Sequence, residues 1–384
     1  MTRIDAVDVL TVRLPFRFSF GHALAARSES TNVVVRVRLA GGAVGYGEGV
    51  PRDYVTGETV DGALAALEER LVPVVLGREL EGPDDAAAVL EVVPYAGDAG
   101  LDTAARCALE LAVLDAVGHH FGVPIAHWLG RRTDTVVYDG VLPFSSPKKL
   151  VPLGLLARGL RVRHIKVKVG GADLDKELRS IATLRRMLGR GADLRVDANC
   201  GWGVDQALAA LERMRAYRIS AVEQPVAGED LEGLRRITAE APEAVIVDES
   251  LRTEDEAKRL VAERACNAFN IRVSKCGGLL PSLRLAQIAD QAGLFCVVGA
   301  QVGESGILSA AGRHLAAAIA PRYVEGSGGR LLLKADLTRE SVLPGIGGRG
   351  RVFSGPGLGV HVRDDLLDTL GEIRGTYRAQ AVSA

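Results

Sequence analysis

The chain has 384 residues, which is longer than a typical domain of about 100–200 residues. Hydrophobic residues make up 47% of it, so a sizeable core can form. Its 47 basic and 48 acidic residues leave a net charge of −1, which argues against a general nucleic-acid or anionic-membrane binder.

The first part of the chain, residues 1–130, is predicted to form an α+β domain. Apolar alternation predicts three antiparallel strands joined by tight turns, and helical periodicity follows them. The predicted strands span residues 3–13, 31–39 and 43–48, and the predicted helices lie near residues 58–71, 83–92 and 101–120.

Between the first two strands lies the segment Phe16-Arg17-Phe18-Ser19-Phe20-Gly21-His22. It is strongly aromatic for a chain with only 8 Phe. We interpret it as a loop that covers a neighbouring site and excludes water from it. The alternative is a loop that packs on its own domain.

From about residue 135, strands alternate with amphipathic helices, a pattern that predicts a parallel sheet. With about seven to eight such units, a modified TIM-type (β/α) barrel fits better than a doubly wound sheet, since no Gly-rich phosphate turn follows the first strand. We assign the barrel to residues 131–330, and residues 331–384 to a segment that returns to the N-terminal domain. The predicted strands span residues 136–142, 161–169, 193–198, 219–223, 244–248, 267–274, 294–299 and 323–325.

Two lysines lie inside an apolar run that ends in a glycine pair, His164-Ile165-Lys166-Val167-Lys168-Val169-Gly170-Gly171. On a strand, their spacing points both side chains to one face. The inward face near the C-terminal end of a barrel strand opens into the active site. The alternative is an edge strand whose lysines face water.

Charged residues also end the strands that follow. They are Asp197 in Val-Asp-Ala-Asn, Glu223 in Val-Glu-Gln-Pro, Asp248 in Val-Asp-Glu-Ser and Lys275 in Val-Ser-Lys-Cys-Gly-Gly. A single acid at a strand end is usually a helix cap or a solvated loop residue. A charged residue at the same end of successive strands predicts a shared site instead.

The three acids of this set predict a metal ion. Converging carboxylates repel one another and raise their own pKa values unless a cation lies between them. Asp197, Glu223 and Asp248 offer only oxygen ligands, which predicts Mg²⁺, with Mn²⁺ as an alternative, and argues against Zn²⁺. The metal would stabilise the negative charge that develops when the carbon next to a substrate carboxylate loses its proton.

Lys168 and Lys275 are the predicted acid–base residues. Their strands are separated by the three acidic ones, so in a closed barrel they are expected to face each other across the substrate. A lysine near other cations loses its proton more easily, and Lys166 and the metal would act in this way on Lys168.

Together these motifs resemble the enolase superfamily, and within it the muconate lactonizing subgroup. The resemblance covers nearly the whole chain and implies an α+β capping domain ahead of the barrel. It implies a divalent metal on the three acids, Lys168 and Lys275 on opposite faces of the substrate, and Lys166 assisting Lys168. The matching elements are Lys166-x-Lys168, Asp197-Ala198-Asn199, Glu223-Gln224-Pro225, Asp248-Glu249-Ser250 and Lys275-Cys276-Gly277-Gly278.

The resemblance also implies roles around this set. Asn199 and Glu249 would be second-layer partners of the metal ligands and lysines. Glu304, in Gln301-Val302-Gly303-Glu304-Ser305, is a secondary candidate on the seventh strand.

Four further residues are implied to bind substrate. Phe18, Phe20 and His22 fall in the capping-domain loop that sets substrate choice. Glu325 lies where dipeptide epimerases of this subgroup carry the first acid of an Asp-x-Asp pair. The second acid is missing here, which argues against dipeptide epimerisation.

The function implied is that of an isomerase that removes a proton α to a carboxylate through a metal-stabilised enolate. Racemisation or epimerisation of an amino-acid derivative or similar carboxylate is predicted first. The alternatives are muconate-type cycloisomerisation and a dehydration like that of o-succinylbenzoate synthase. A non-catalytic barrel scaffold is disfavoured by the intact set of acids and lysines, although fold alone does not prove function.

The expected partner is a small-molecule carboxylate, with no nucleic acid and no membrane, and we expect a homo-oligomer. A cytoplasmic location is expected because the cysteines are scattered without a CxxC pair. The first residues form no apolar signal core, and no apolar run reaches the ~18 residues of a membrane helix.

Overall fold

The computed structural model describes residues 1–21, 26–53, 55–97, 100–143, 146–171, 173–326 and 328–380. Within these ranges the N-terminal part begins with long antiparallel strands and continues with helices. The strands are β1 (Thr2–Gly21), β2 (Ala26–Leu39), β3 (Val44–Gly49), β4 (Glu79–Leu80), β5 (Ala96–Gly97) and β6 (Gly100–Leu101). The helices are α1 (Val60–Ala66), α2 (Val72–Val75), α3 (Asp85–Glu91), α4 (Thr103–Phe121) and α5 (Ala126–Leu129), with a π-helical turn at Leu67–Leu71.

The middle part alternates strands and helices, as predicted. Its strands are β7 (Thr135–Val137), β8 (Gly140–Leu142), β9 (His164–Lys168), β10 (Asp193–Asp197), β11 (Ile219–Glu223), β12 (Ala244–Val247), β13 (Ala268–Ile271), β14 (Phe295–Val298) and β15 (Tyr323–Val324). Its helices are α6 (Pro147–Gly159), α7 (Leu174–Leu188), α8 (Val204–Met214), α9 (Leu231–Glu240), α10 (Glu254–Ala262), α11 (Leu279–Gln291), α12 (Gly306–Ile319) and α13 (Gly329–Leu332), with a 3₁₀ turn at Arg215–Tyr217. The C-terminal part adds a 3₁₀ turn at Ile346–Gly348, then β16 (Arg349–Arg351), α14 (Asp364–Leu370) and β17 (Gly371–Arg378).

Strands β8 to β15 form one curled parallel sheet in the order β15-β14-β13-β12-β11-β10-β9-β8. Its two ends are linked, because the Asp139 N–H, just ahead of β8, donates to the Val324 carbonyl of β15 at 2.7 Å. The predicted (β/α) barrel is therefore confirmed. The predicted single strand over residues 136–142 is wrong: β7 pairs with β16, and only β8 enters the barrel.

The antiparallel sheet has the order β17-β1-β2-β3, with β4 paired to β1. This confirms the predicted meander and the return of the C-terminal segment to the capping domain. The prediction of a loop is wrong from Phe16 to Gly21, because β1 runs through these residues and, after a break in register between Pro15 and Phe20, pairs with β2 again at Phe20 and Gly21. Aromatic residues at every second position favour an extended strand, which explains the difference.

Two buried glutamates of the capping domain lock it to barrel helices. Glu48 of β3 accepts hydrogen bonds from the backbone N–H groups of Ser305, at 2.9 Å, and Leu308, at 3.1 Å, where α12 begins. Glu110 of α4 accepts from the N–H of Leu280 at 2.9 Å, where α11 begins. Carboxylates are stabilised at helix N-termini, although burial raises the pKa of both groups. These bonds fix the cap over the mouth of the barrel.

Helix α4 lies directly on β3 because glycines alternate along one face of the strand, at Gly45, Gly47 and Gly49. A Cβ atom on Gly47 would overlap the Ala108 carbonyl oxygen and lie 2.5 Å from the Ala112 nitrogen. Only hydrogen at these positions allows so close an approach. No helix within the described ranges combines the length and apolar character needed to cross a membrane.

We expect Gly47→Ala to lower the free energy of unfolding by about 1–3 kcal/mol or more, because the added methyl overpacks the contact between β3 and α4. Chemical denaturation followed by circular dichroism would measure the loss. Gly191→Ala is the matched control, since a Cβ atom there meets nothing within 4 Å. Equal stability of the two variants would contradict this account of the packing.

Candidate active site

A cavity of about 200 Å³ lies between the barrel mouth and the capping domain. The barrel contributes charged and polar side chains from strand ends, and the cap contributes residues of β1 and of the segment after β3. The barrel side chains include Lys166, Lys168, Asn199, Glu249, Arg272, Gln301 and Glu325, and those of the cap are Phe18, Arg52 and Val55. The position matches the C-terminal face of a barrel, where active sites of this fold lie.

Lys166 forms ion pairs with three carboxylates at this site. Its ammonium lies 3.0 Å from Asp197, 2.9 Å from Glu223 and 2.7 Å from Glu325, on three different barrel strands or strand ends. The side chain is only 2% exposed. Burial by itself would lower the pKa of Lys166, but the three carboxylates outweigh it and raise the pKa above its usual value. Lys166 is therefore a fixed cation.

Lys168 lies two residues further along β9 and reaches the cavity. Its ammonium donates to Asp197 at 2.7 Å and to the Asn199 side-chain oxygen at 2.6 Å. Asn199 in turn donates to Glu249 at 3.1 Å. The two lysines thus share one face, as predicted, and the reading of β9 as an edge strand is wrong, because β8 and β10 flank it.

The predicted metal ligands end neighbouring strands, and their surroundings shift the pKa values of two of them in opposite directions. Burial by itself would raise the pKa of Asp197, but Lys166 and Lys168 hold it below its usual range. Burial and the charge of Asp197 raise the pKa of Glu223 to about 8.

Asp248, directly after β12, is held by two cations. Arg272 donates to one of its oxygens, and Lys275 donates to the other at 2.9 Å. Burial and the adjacent Asp248 raise the pKa of Glu249 to about 7. Glu249 accepts a hydrogen bond from Asn199, whereas the carboxylate that contacts Lys275 is that of Asp248.

The predicted placement of Lys275 opposite Lys168 is wrong. Strand β13 ends at Ile271, so Lys275 lies in the following turn, and its side chain is fully buried beneath Asp248. It is not among the side chains that line the cavity, whereas Arg272 is. Side chains alternate between the two faces of a strand, so Asn270 and Arg272 both point inward. This spacing in the sequence could have identified Arg272 as the cation that lines the cavity.

The carboxylates are turned toward these cations rather than toward a common point. Within the described ranges, no group of three or more His, Cys, Asp and Glu side chains is arranged to hold a metal ion. Four buried oxygens at this end of the barrel nevertheless find no hydrogen-bond partner among the described residues: Glu223 Oε2, Glu249 Oε2, Asn270 Oδ1 and Gln301 Oε1. Buried acceptors normally have a partner, so this all-oxygen set fits a hard cation such as Mg²⁺.

Glu325 lines the same cavity as Lys168, whereas Glu304 does not. Glu325 lines the cavity but is paired with Lys166 and with the buried Arg195 of β10. Burial by itself would raise the pKa of Glu325, but these cations and Arg272 lower it to about 2. Glu304 lines an adjoining cavity, accepts from the Gln301 N–H at 2.5 Å, and has its pKa raised to about 8 by burial.

Of the predicted cap residues, Phe18 lines the cavity and is 56% exposed. The side chain of Phe20 and the whole of His22 lie outside the described residues. Sequence reasoning missed Arg52 and Val55, which follow β3 and also line the cavity.

Both halves of the chain match known families. Residues 2–130 match the family described as Mandelate racemase / muconate lactonizing enzyme, N-terminal domain. Residues 154–366 match the family described as Enolase C-terminal domain-like. A barrel with charged strand ends beneath an α+β cap defines the enolase class of enzymes. The chain belongs to the muconate lactonizing subgroup of the enolase superfamily.

Similar proteins match over almost their full length. The N-succinyl-L-Arg/Lys racemase of Bacillus cereus is 28% identical over 96% of this chain and 98% of its own. The crystal structure of the N-succinyl Arg/Lys racemase from Bacillus cereus has a TM-score of 0.88, at 27% identity, over 98% of this chain and 100% of that chain.

Two further structures show the range of chemistry among the relatives. A dipeptide epimerase from Enterococcus faecalis complexed with Mg and the dipeptide L-Leu-L-Tyr has a TM-score of 0.85, at 27% identity, over 93% of this chain and 98% of that chain. The muconate lactonizing enzyme from Pseudomonas fluorescens complexed with muconolactone has a TM-score of 0.86, at 26% identity, over 97% of this chain and 100% of that chain. These relatives confirm the predicted family and the prediction of an isomerase.

We expect Lys166→Met to lower the free energy of unfolding of the metal-free protein by about 3–5 kcal/mol, because it leaves buried carboxylates without their cation. Urea denaturation in the presence of EDTA would measure the change. Lys258→Met is the control, since that lysine is 62% exposed. A loss at Lys166 no larger than the control's would show that the pairing does not stabilise the barrel.

Proposed function

We propose that the protein is a Mg²⁺-dependent isomerase in which Lys168 removes the proton α to a substrate carboxylate. The position of Lys168 carries this proposal. Its side chain is 14% exposed at the cavity, against 2% for Lys166, and it adjoins the acidic strand ends. A base must come within hydrogen-bond reach of the proton it removes, and Lys168 is the more exposed of the two lysines that line the cavity.

Asp197, Glu223 and Asp248 would hold the Mg²⁺. Their oxygen-only chemistry, the unpartnered Glu223 oxygen and the Mg in the Enterococcus faecalis structure support this assignment. When bound, the ion would stabilise the negative charge that develops on the substrate carboxylate as the proton leaves. Mn²⁺ remains the alternative ion.

The protein's own groups carry the proton transfer. Neutral Lys168 takes the α-proton, the C–H bond breaks, and its electron pair moves into the carboxylate to give an enolate. Asn199 holds the Lys168 nitrogen in position and is itself fixed by Glu249. Phe18 and Arg52 of the cap close the cavity from the other side and limit access of water.

The charges in the cavity favour an anionic substrate with more than one acidic group. The cations Arg52, Lys166 and Arg272 line it, against the carboxylates Glu249 and Glu325. Glu325 is already paired with Lys166 and Arg195, which leaves it poorly placed to bind the free amino group of a dipeptide. We therefore propose an N-acylated amino acid or a related dicarboxylate as substrate. A relative that racemises N-succinyl-Arg/Lys supports this choice.

Two reaction types fit this chemistry. Racemisation or epimerisation is supported by the names of the sequence relatives. Cycloisomerisation is supported by the muconate lactonizing structure and by one observation in the cavity, the arginine on the side facing Lys168. We also propose that the protein forms a homo-oligomer and acts in the cytoplasm.

We expect Asp197→Asn, Glu223→Gln and Asp248→Asn each to weaken Mg²⁺ binding by about tenfold or more, because each removes a ligand charge without opening a cavity. Isothermal titration calorimetry of Mg²⁺ would measure the affinities, with circular dichroism to confirm folding. Asp205→Asn, whose side chain is 88% exposed, is the control. Unchanged affinity in all three variants would remove the metal site.

We expect Lys168→Ala to slow α-proton exchange by about 10²–10⁴-fold, because the base is lost. Deuterium incorporation in D₂O would be followed by NMR on both enantiomers of several N-succinyl amino acids. Lys258→Ala serves as the control. Exchange that survives in Lys168→Ala at the wild-type rate would assign the base to another residue.

A further inference from the structure

We infer that Arg272 takes the place of a second base, so that the protein moves protons on one face of its substrate only. This inference rests on the proposed function. It concerns the side of the cavity that faces Lys168, where the sequence predicted Lys275.

Lys168 and Arg272 lie on opposite sides of the barrel. Lys168 is the last residue of β9, and Arg272 directly follows Ile271, the last residue of β13. In the closed order of eight strands, β9 and β13 are four strands apart in either direction. Both side chains line the same cavity, so a substrate held there lies between them.

The backbone of β13 turns Arg272 inward. Asn270, two residues earlier, donates to Glu223 at 3.0 Å, and Arg272 lies 3.9 Å from the same carboxylate while bonding to Asp248. Alternate residues of a strand share a face. Asn270 and Arg272 therefore form the counterpart on β13 of Lys166 and Lys168 on β9.

Lys275 cannot substitute for Arg272, because its ammonium is fully engaged elsewhere. It donates to the Asp248 carbonyl at 2.5 Å, to the Asp248 carboxylate at 2.9 Å and to the Asn270 carbonyl at 3.0 Å. An ammonium group has three hydrogens to donate. The side chain is 0% exposed, whereas that of Arg272 is 10% exposed.

The chemistry of the two ends of the cavity therefore differs. A guanidinium stays protonated in proteins and has no acceptor, so Arg272 can bind an anion but cannot remove a proton from carbon. Inverting the configuration of an α-carbon requires one group that removes the proton and another that delivers a proton from the opposite face. Of the two opposed residues, Lys168 can do either and Arg272 can do neither, so a proton that Lys168 removes returns to the face it left.

Cycloisomerisation satisfies this restriction. A substrate carboxylate oxygen adds to a C=C bond, and the electron pair of that bond moves to the carbon α to a second carboxylate. Lys168 ammonium then delivers one proton to that carbon, its N–H bond breaking as the C–H bond forms. No second base takes part, and the fixed charge of Arg272 would hold the anionic end of the substrate.

The test is the stereochemistry of exchange in D₂O by the Mg²⁺-loaded protein, with both enantiomers of N-succinyl amino acids as probes. We expect wild-type protein to exchange one enantiomer about 100-fold faster than the other or more, with configuration retained. Arg272→Lys places an amine on the second face, so exchange of the slow enantiomer should rise at least about tenfold, with interconversion of the two. Arg179→Lys, at an exposed position of α7, is the matched control.

A binding measurement gives a second test that needs no turnover. We expect Arg272→Met to weaken binding of succinate about tenfold in calorimetry and Arg272→Lys to restore it, because lysine keeps the charge. Unchanged succinate affinity in Arg272→Met would overturn the role of Arg272.

The exchange outcomes separate the inference from the function on which it rests. Comparable exchange of both enantiomers by the wild type, with racemisation, would overturn the one-face inference and leave the proposed function intact. An absence of exchange from every probe, despite Mg²⁺ binding, would remove the proposed function and the inference with it. The wild-type result decides the question even if Arg272→Lys fails to fold.

Discussion

The contact of Lys166 with three carboxylates is the interaction on which the barrel mouth depends. A buried ammonium and buried carboxylates are each costly to remove from water, and they are tolerated together only when every charge has a partner. Lys166 meets this condition for Asp197, Glu223 and Glu325 at once. Because these residues come from different strands or strand ends, the pairing links those strand ends to one another. Lys168 reaches the cavity because Lys166, two residues earlier, is held within this network.

The capping domain is also held in place by buried charged groups, here two glutamates that bond to barrel helices. Glu48 and Glu110 lie on elements of the cap but bond to the first turns of barrel helices α12 and α11. A carboxylate in that position gains from the helix dipole and satisfies N–H groups that the helix leaves open. The segment that follows β3 is thereby brought to the cavity, where Arg52 and Val55 meet the barrel residues. Cap and barrel therefore form one cavity.

Periodicity made the fold predictable, because strand–helix alternation and the Lys166-x-Lys168 spacing depend only on local geometry. The amphipathic helices expected between the barrel strands are present, for example α7 over Leu174–Leu188. The predicted strand bounds were wrong where pairing with residues distant in sequence decides where a strand begins or ends. Residues 136–142 read as one strand, yet the hydrogen bond from the Tyr138 N–H to Gly348, distant in sequence, separates β7 from β8. Likewise, Phe16 belongs to the extended strand β1, where its isolated bridge partner is Leu333, more than 300 residues further along the chain.

At the end of β13 the sequence motif and the strand geometry point to different residues, the motif to Lys275 and the geometry to Arg272. Both cations stand within the Asn270-Ile271-Arg272-Val273-Ser274-Lys275 stretch, and the motif drew attention to the lysine because a base was expected there. The two-residue period counted from Asn270 selects the arginine instead. A lysine beyond the strand end is free to fold back, and here it bonds to Asp248 and Asn270. The difference matters chemically, because a guanidinium and an amine carry similar charge but only the amine can exchange a proton with carbon at ordinary pH. Membership of an isomerase family therefore does not by itself fix which cation faces the cavity on this strand.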